Sequence, residues 1–231
     1  MNKTNKCTRT CALLAIVTSI IIASVPGVAL CGQIPKLGVK YSTRTVPNTD
    51  GFIQRWLLLE PIKIKGDTQK EVQQTVKTEH FPGELTMIPK EGQKVTVNDS
   101  AHTWHTVETD EYNLNLYYFA NAVGMNSDNA LFWAVVVVNC PQEMANVRLA
   151  VGTNSASVWW VNGKEVIGIY GNRCTVIDDG VSKRLTLNKG SNVIRAAIIN
   201  VSGAADFCAR FLDSNDMPLK GFTVSIGDVG K

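Results

Sequence analysis

The sequence predicts an all-β protein: an antiparallel β-sandwich with one short helix and an N-terminal signal peptide. Three observations carry this. From residue 94 onward the chain reads as many short β-rich segments. Polar turns such as Asn188-Lys189-Gly190, Ser202-Gly203 and Asp213-Ser214-Asn215-Asp216 separate them. That spacing is the pattern of a sandwich or barrel. Next, Trp159-Trp160-Val161-Asn162-Gly163-Lys164-Glu165-Val166 sets Asn-Gly between two apolar arms. Asn-Gly is the strongest short-range signal for a two-residue hairpin, because both central residues need φ > 0. Finally, Ala134-Val135-Val136-Val137-Val138 is apolar without alternation. Such a strand is expected in the middle of a sheet, covered on both faces.

The elements follow in order. Lys3, Lys6 and Arg9 form a positive n-region, Ala12 to Ala23 is apolar, and small residues follow at Ser24, Gly27 and Ala29. This is the pattern of a secretory signal peptide over residues 1–32, with cleavage expected between Ala29 and Gly32. The apolar run is too short for a membrane span. Cys31 raises a lipoprotein alternative, against which Leu30, not a small residue, precedes it. Residues 33–50 read as an exposed, polar lead-in. The β-module is expected over 51–231, with no internal boundary.

Within the module, Phe52 to Glu60 reads as a buried strand ended by Pro61. Thr68 to His80 is the one expected helix, with Val72 and Val76 four apart and a stop at Phe81-Pro82-Gly83. Strands are expected at 94–98, 103–108, 114–119, 130–139, 147–152, 157–169, 181–187, 192–201, 206–212 and 222–226. The two-residue turn predicts a register. Val161 should sit opposite Lys164, Trp160 opposite Glu165, and Trp159 opposite Val166. Alternation then puts Trp159, Val161 and Val166 on one face, and Trp160 with Glu165 on the other. Trp159 is expected in the core and Trp160 nearer solvent, although a second layer over Trp160 is an equal alternative.

Charge and cysteine content narrow the function. The chain has 23 Lys and Arg against 20 Asp and Glu. Removing the three basic residues of the leader leaves 20 against 20. No basic cluster remains to track a phosphate backbone, so nucleic acid is not an expected partner. Nor is a membrane, unless Cys31 carries a lipid. After the leader, Cys140, Cys174 and Cys208 remain, so at most one internal bridge can form. Cys140 and Cys208 read as small buried residues.

No Gly-x-Ser-x-Gly, Cys-x-x-Cys or His-Glu-x-x-His occurs. His102 and His105, three apart in a strand, should face opposite ways. No catalytic residue, metal or cofactor is therefore expected. The adjacent carboxylates Asp110-Glu111 and Asp178-Asp179 read as solvated turn residues. The aromatic inventory between 100 and 170 is more suggestive. Trp56, Trp133 and Trp159 sit among apolar neighbours and read as core. Trp104, in a polar strand, and Trp160 are the candidates for exposure. An exposed aromatic beside a polar group is a common way to hold a sugar ring. Tyr170 and Arg173, in the loop after the hairpin, complete the candidate carbohydrate-binding set of Trp160, Trp104, Tyr170 and Arg173, with an ordinary polar loop as the alternative.

Four ordered segments carry a resemblance. The first is Trp56-Leu57-Leu58-Leu59-Glu60-Pro61. Gly152 to Lys164 holds the Trp-x-Asn-Gly-Lys hairpin. Leu187-Asn188-Lys189-Gly190-Ser191-Asn192 has the form Leu-x-x-Gly-x-Asn. Phe207-Cys208-Ala209-Arg210-Phe211-Leu212-Asp213 closes as Phe-x-x-Arg-hydrophobic-x-Asp. Together these resemble galactose-binding-like jelly-roll modules. The nearest likeness is to the N-terminal accessory module of secreted bacterial acetylxylan and feruloyl esterases. Two positions depart from the pattern: Glu60 stands where the family has glycine, and Asn154-Ser155 where it has an acidic pair. The resemblance implies a jelly-roll fold and an exported, periplasmic or extracellular setting. It implies an accessory role in plant cell-wall (xylan) breakdown, with a plant-type polysaccharide or a hydrolase domain as partner. The rivals are the N-terminal fragment of an esterase whose catalytic domain would begin near Gly227–Lys231, and a purely structural spacer.

Overall fold

A computed structural model describes residues 35–38, 44–65, 69–154, 156–171 and 173–227. The expected signal peptide lies outside them. Among the described residues the elements are β1 (Lys36–Leu37), β2 (Arg55–Leu59), β3 (Ile62–Lys63), α1 (Gln69–Lys77), β4 (Lys94–Val97), β5 (Ser100–Glu108), β6 (Leu114–Asn115) and α2 (Leu116–Ala122). They continue with β7 (Ala130–Cys140), β8 (Met144–Thr153), β9 (Ala156–Val161), β10 (Lys164–Ile169), β11 (Gly180–Val181), β12 (Leu185–Leu187), β13 (Gly190–Asn200), β14 (Asp206–Leu212) and β15 (Thr223–Ser225).

Every pairing between these strands is antiparallel. The larger sheet runs β1-β5-β2-β7-β13-β9-β10, with β3 and β15 also on β7 and β4 on β5. The smaller runs β11-β8-β14-β6, with β12 also on β8. The chain is thus an all-β sandwich, as the turn spacing predicts.

Side-chain alternation builds two cores from the larger sheet. Trp56, Leu58, Phe132, Ala134, Val136, Trp159, Val161, Ile194 and Ala196 point between the sheets and meet Leu149, Val151, Phe207 and Phe211 of the smaller one. Their sequence neighbours Leu57, Leu59, Leu131, Trp133, Val135, Val158, Trp160 and Ala197 point the other way. That outer face is covered by Val72 and Val76 of α1 and by Phe81. All eleven residues of β7 are buried, because it belongs to both cores. The apolar run without alternation therefore has its expected cause.

The hairpin is a type I′ turn, with φ 51° at Asn162 and 77° at Gly163. The Asn162 amide extends the strand: Asn162 Oδ1 accepts the Val193 N–H at 2.9 Å, and its Nδ2 donates to Asn192 Oδ1 at 2.9 Å. Asn192 is buried, and its Nδ2 also donates to the Asn188 carbonyl at 2.8 Å. This explains why asparagine stands at both motif positions: each replaces a backbone rung that the turn cannot make.

Val161↔Lys164 and Trp160↔Glu165 pair as expected, but Trp159 faces Ile167, not Val166. A bulge at Val166 inserts one residue and flips the alternation. Ile167 and Ile169 thereby enter the inner core, while Val166 still packs against it. Gly168 turns outward.

Other expectations need correction. Residues 114–119 are not one strand: after the two-residue β6 the chain turns into α2. Asn115 caps that helix, its Oδ1 accepting the Tyr118 N–H at 3.0 Å. Leu116, Phe119 and Ala120 form the buried stripe. The aromatic run Tyr117-Tyr118-Phe119 favours a strand by propensity, but the cap and the three-and-four spacing win. Residues 181–187 break into β11 and β12. The lead-in is partly pinned: β1 pairs with β5, and Thr45 bridges Val224.

Candidate functional site

On the outer face of the larger sheet, α1 and the loop that follows it leave a cleft of 410 Å³ beside the β9–β10 hairpin. Its floor is Trp160, whose ring lies 5.6 Å from that of Trp133, tilted by 31°. Val76 and Leu85 form the apolar wall, and Tyr170 closes the hairpin side. Gln73, Lys77, Glu79, Glu84, Thr86 and Glu165 supply polar groups around it.

The bulge at Val166 positions Tyr170. It turns Gly168 outward, and the Tyr170 ring folds over that glycine. A Cβ placed there would lie 2.9 Å from Tyr170 Cε2 and Oη. Only a residue without a side chain leaves this space. Burial raises the Tyr170 phenol above its usual pKa, and the Glu165 carboxylate adds to the rise.

The opposite wall hangs on Arg195, which lies opposite Trp160 in the β13–β9 register. Arg195 is 3% exposed. Its guanidinium donates to the backbone carbonyls of Leu85 and Met87. Burial lowers its pKa to about 10, while Glu84 nearby opposes the shift. Within the loop, Glu84 Oε2 accepts the His80 N–H at 2.9 Å and Glu79 Oε1 accepts the Gly83 N–H at 3.0 Å.

Of the four candidates read from sequence, the cleft brings together Trp160 and Tyr170. Trp160 is 7% exposed against 0% for Trp159, so the two faces are as read. Its expected exposure needs correction, however: the second layer lies over it, and only the cleft reaches it. Trp104 is a clear correction. It is 1% exposed and packs edge-on against Phe81, ring centres 6.4 Å apart. Its indole N–H has no hydrogen-bond partner among the described residues. An unpaired N–H costs about 1–3 kcal/mol, whereas burying an aromatic of this size contributes roughly 4–6 kcal/mol. Burial therefore wins, despite polar neighbours in the sequence. Arg173 is not among the residues around the cleft; it pairs with Asp179 at 3.0 Å.

Asp178-Asp179 is also more than a solvated turn. Asp178, at φ 59°, receives two hydrogen bonds from Arg210, one of them from Nε at 2.9 Å. The Arg210 guanidinium lies 4.9 Å from the centre of the Phe52 ring. The motif arginine is thus a structural clamp. Cys140 and Cys208 are buried as expected, and all three described cysteines are free. Burial pushes the Cys208 thiol up to about 12. Glu60 joins the two histidines from its side chain and backbone: Oε1 meets His105 Nε2 at 3.0 Å, and its carbonyl meets His102 Nδ1 at 3.2 Å.

Sequence reasoning missed the cleft's far wall, from Gln73 to Thr86. The only signal was a helix with two apolar positions in a β-protein, an element with one narrow stripe to bury and therefore a surface lid.

No family model matches the chain, and no curated protein matches it. Among solved structures, a β-glucosidase from Kluyveromyces marxianus is similar at 14% identity and TM-score 0.42, over 76% of this chain and 20% of that one. The PA14 domain of an antifreeze protein is similar at 10% identity and TM-score 0.44, over 83% and 97%. A GH31 α-xylosidase from Xanthomonas citri is similar at 9% identity and TM-score 0.30, over 84% and 20%. The chain spans about a fifth of the β-glucosidase and the α-xylosidase.

Proposed function

We propose that this chain is a secreted, non-catalytic β-sandwich module that binds or positions a plant-type polysaccharide, with xylan as the first candidate, through its outer cleft. One observation carries the reading. Two aromatics separated by a bulged hairpin, Trp160 and Tyr170, converge on one open cleft with an amide and carboxylates around them. Aromatic faces hold the apolar face of a sugar ring, and polar groups around them meet its hydroxyls. A shallow site of this kind buries little area, and association offsets much of the gain, so Kd is expected on the order of 0.01–1 mM.

The test is retardation of the purified chain in gels containing xylan, arabinoxylan or other plant glycans. The wild type should be retarded, and Tyr170→Ala and Trp160→Ala should run free while remaining folded. The same preparation should release neither acetate nor ferulate from model esters. No retardation in any glycan would move the reading to a docking surface for a hydrolase domain. Export is part of the proposal. N-terminal sequencing of exported protein should give a start between Leu30 and Gln33, and a start at Met1 would refute it.

A further inference from the structure

Trp160 and Glu165 are cross-strand partners on the outward face of the hairpin. They place an aromatic floor and a carboxylate side by side. The other carboxylates of the cleft are engaged: Glu79 with the Gly83 N–H, and Glu84 with the His80 N–H and the nearby Arg195. Glu165 is exposed and has no hydrogen bond or ion pair among the described residues. It is therefore free to accept.

The electrostatic balance around it is negative. Among the described residues, Lys77 is the one cation bordering the cleft, against Glu79, Glu84 and Glu165. Arg195, beneath the loop, offsets Glu84, and His80 lies 3.5 Å from the same carboxylate. The uncompensated charge sits on the hairpin side, next to the Tyr170 phenol.

We propose that Glu165 sets the specificity of this cleft: its carboxylate accepts hydrogen bonds from the hydroxyls of a neutral sugar on Trp160, and its charge turns away chains that carry uronate groups. This rests on the glycan reading above. A carboxylate accepts two donors at once, so vicinal hydroxyls suit it. A second carboxylate brought within about 6 Å is repelled by an amount worth roughly tenfold in affinity, given a dielectric between that of water and that of a protein surface. The repulsion is between partly solvated charges, so salt should remove it.

The test compares a linear neutral xylo-oligosaccharide with the same oligosaccharide bearing one glucuronate branch. Both are titrated calorimetrically into the full chain at about 50 mM and about 1 M salt. The wild type should prefer the neutral ligand by roughly tenfold at low salt and by less than about twofold at high salt. Glu165→Gln should lose the preference at low salt, binding the neutral ligand about fivefold more weakly and the branched one more tightly. Glu165→Asp, which keeps the charge, should keep the preference. Equal binding of both ligands by the wild type, or an unchanged preference in Glu165→Gln, would overturn the assignment while leaving the glycan reading standing. If the wild type binds neither ligand and no other neutral glycan, the glycan reading falls and takes this one with it.

Discussion

The two faces of the larger sheet are made from the same strands, yet they are finished differently. On the inner face, between the sheets, the tryptophans are hydrogen-bonded: Trp159 Nε1 donates to Ser157 Oγ and Trp56 Nε1 to the Ile53 carbonyl, both at 2.9 Å. On the outer face, Trp104 Nε1, Trp133 Nε1 and Arg195 Nε have no partner among the described residues. A second β-sheet closes the inner face, while a nine-residue helix and a loop close the outer one. The inner layer satisfies nearly everything that it buries, which is what a folding core needs. The outer layer leaves these groups unpaired and keeps an open cleft. Local stability should therefore differ between the two.

The largest expected contrast is between adjacent tryptophans. Trp159→Ala should cost about 3–5 kcal/mol in urea denaturation. Trp160→Ala, at the floor of an existing cleft, should cost about half of that or less. Equal losses would break the comparison.

Ionisation offers a second contrast. The Cys208 thiol is pushed up to about 12 by burial, from an ordinary value of 9.0. Between those values the folded chain binds more protons than the unfolded one. The contribution is full below about pH 9 and is lost as pH rises toward 12, with a ceiling on the order of 4 kcal/mol. The raised Tyr112 and Tyr170 phenols add in the same direction. Cys208→Ala should flatten the alkaline decline in stability. In the native state a thiol reagent should label exposed Cys174 and leave Cys208 untouched.

Arg195→Met tests the outer layer directly. It leaves the Leu85 and Met87 carbonyls without their donor, for an expected loss of about 1–3 kcal/mol. Hydrogen exchange should quicken in residues 81–87 and not in β8 or β14. Uniform quickening would mean that the two layers unfold as one. Gly163→Ala should cost about 1–2 kcal/mol, because φ is +77° there although the space around it is open.

The smallest effect on stability sharpens the site. Gly168→Ala should cost under about 1 kcal/mol, since the far end of the Tyr170 side chain can move aside. It should nevertheless weaken glycan binding about as much as Tyr170→Ala does. Unchanged binding would show that Tyr170 does not touch the ligand.

The inner layer was largely legible in the sequence. Asn-Gly set the turn and the first two pairs, alternation sorted Trp159 from Trp160, and the unbroken apolar run marked β7. The bulge at Val166 was not legible. A one-residue insertion leaves both Val166 and Ile167 apolar, so neither register looks wrong. Helix α2 was hidden because Tyr117 to Phe119 suits a strand, and its cap Asn115 also ends β6. The outer layer was the least legible part. Trp104 stands between Thr103 and His105, but its cover comes from Phe81. The cleft is assembled from residues 73–86 and 160–170, which no local pattern joins. Arg195 looked like one charge in a strand, and only the carbonyls of Leu85 and Met87 show its purpose.

The position of β7 also governs the timing of assembly. Its partners β2 and β3 precede it, while β13 and β15 follow it, the last ending at Ser225. Half of its hydrogen-bonding neighbours, β13 and β15, do not exist until residue 225 has been made, and such non-local pairing is slow, on the order of milliseconds to seconds. The growing chain therefore cannot complete this sheet until Ser225 has emerged. A fragment ended before Thr223 would leave Val137, Val138 and Asn139 with one free edge, the bare backbone on which chains stick to one another.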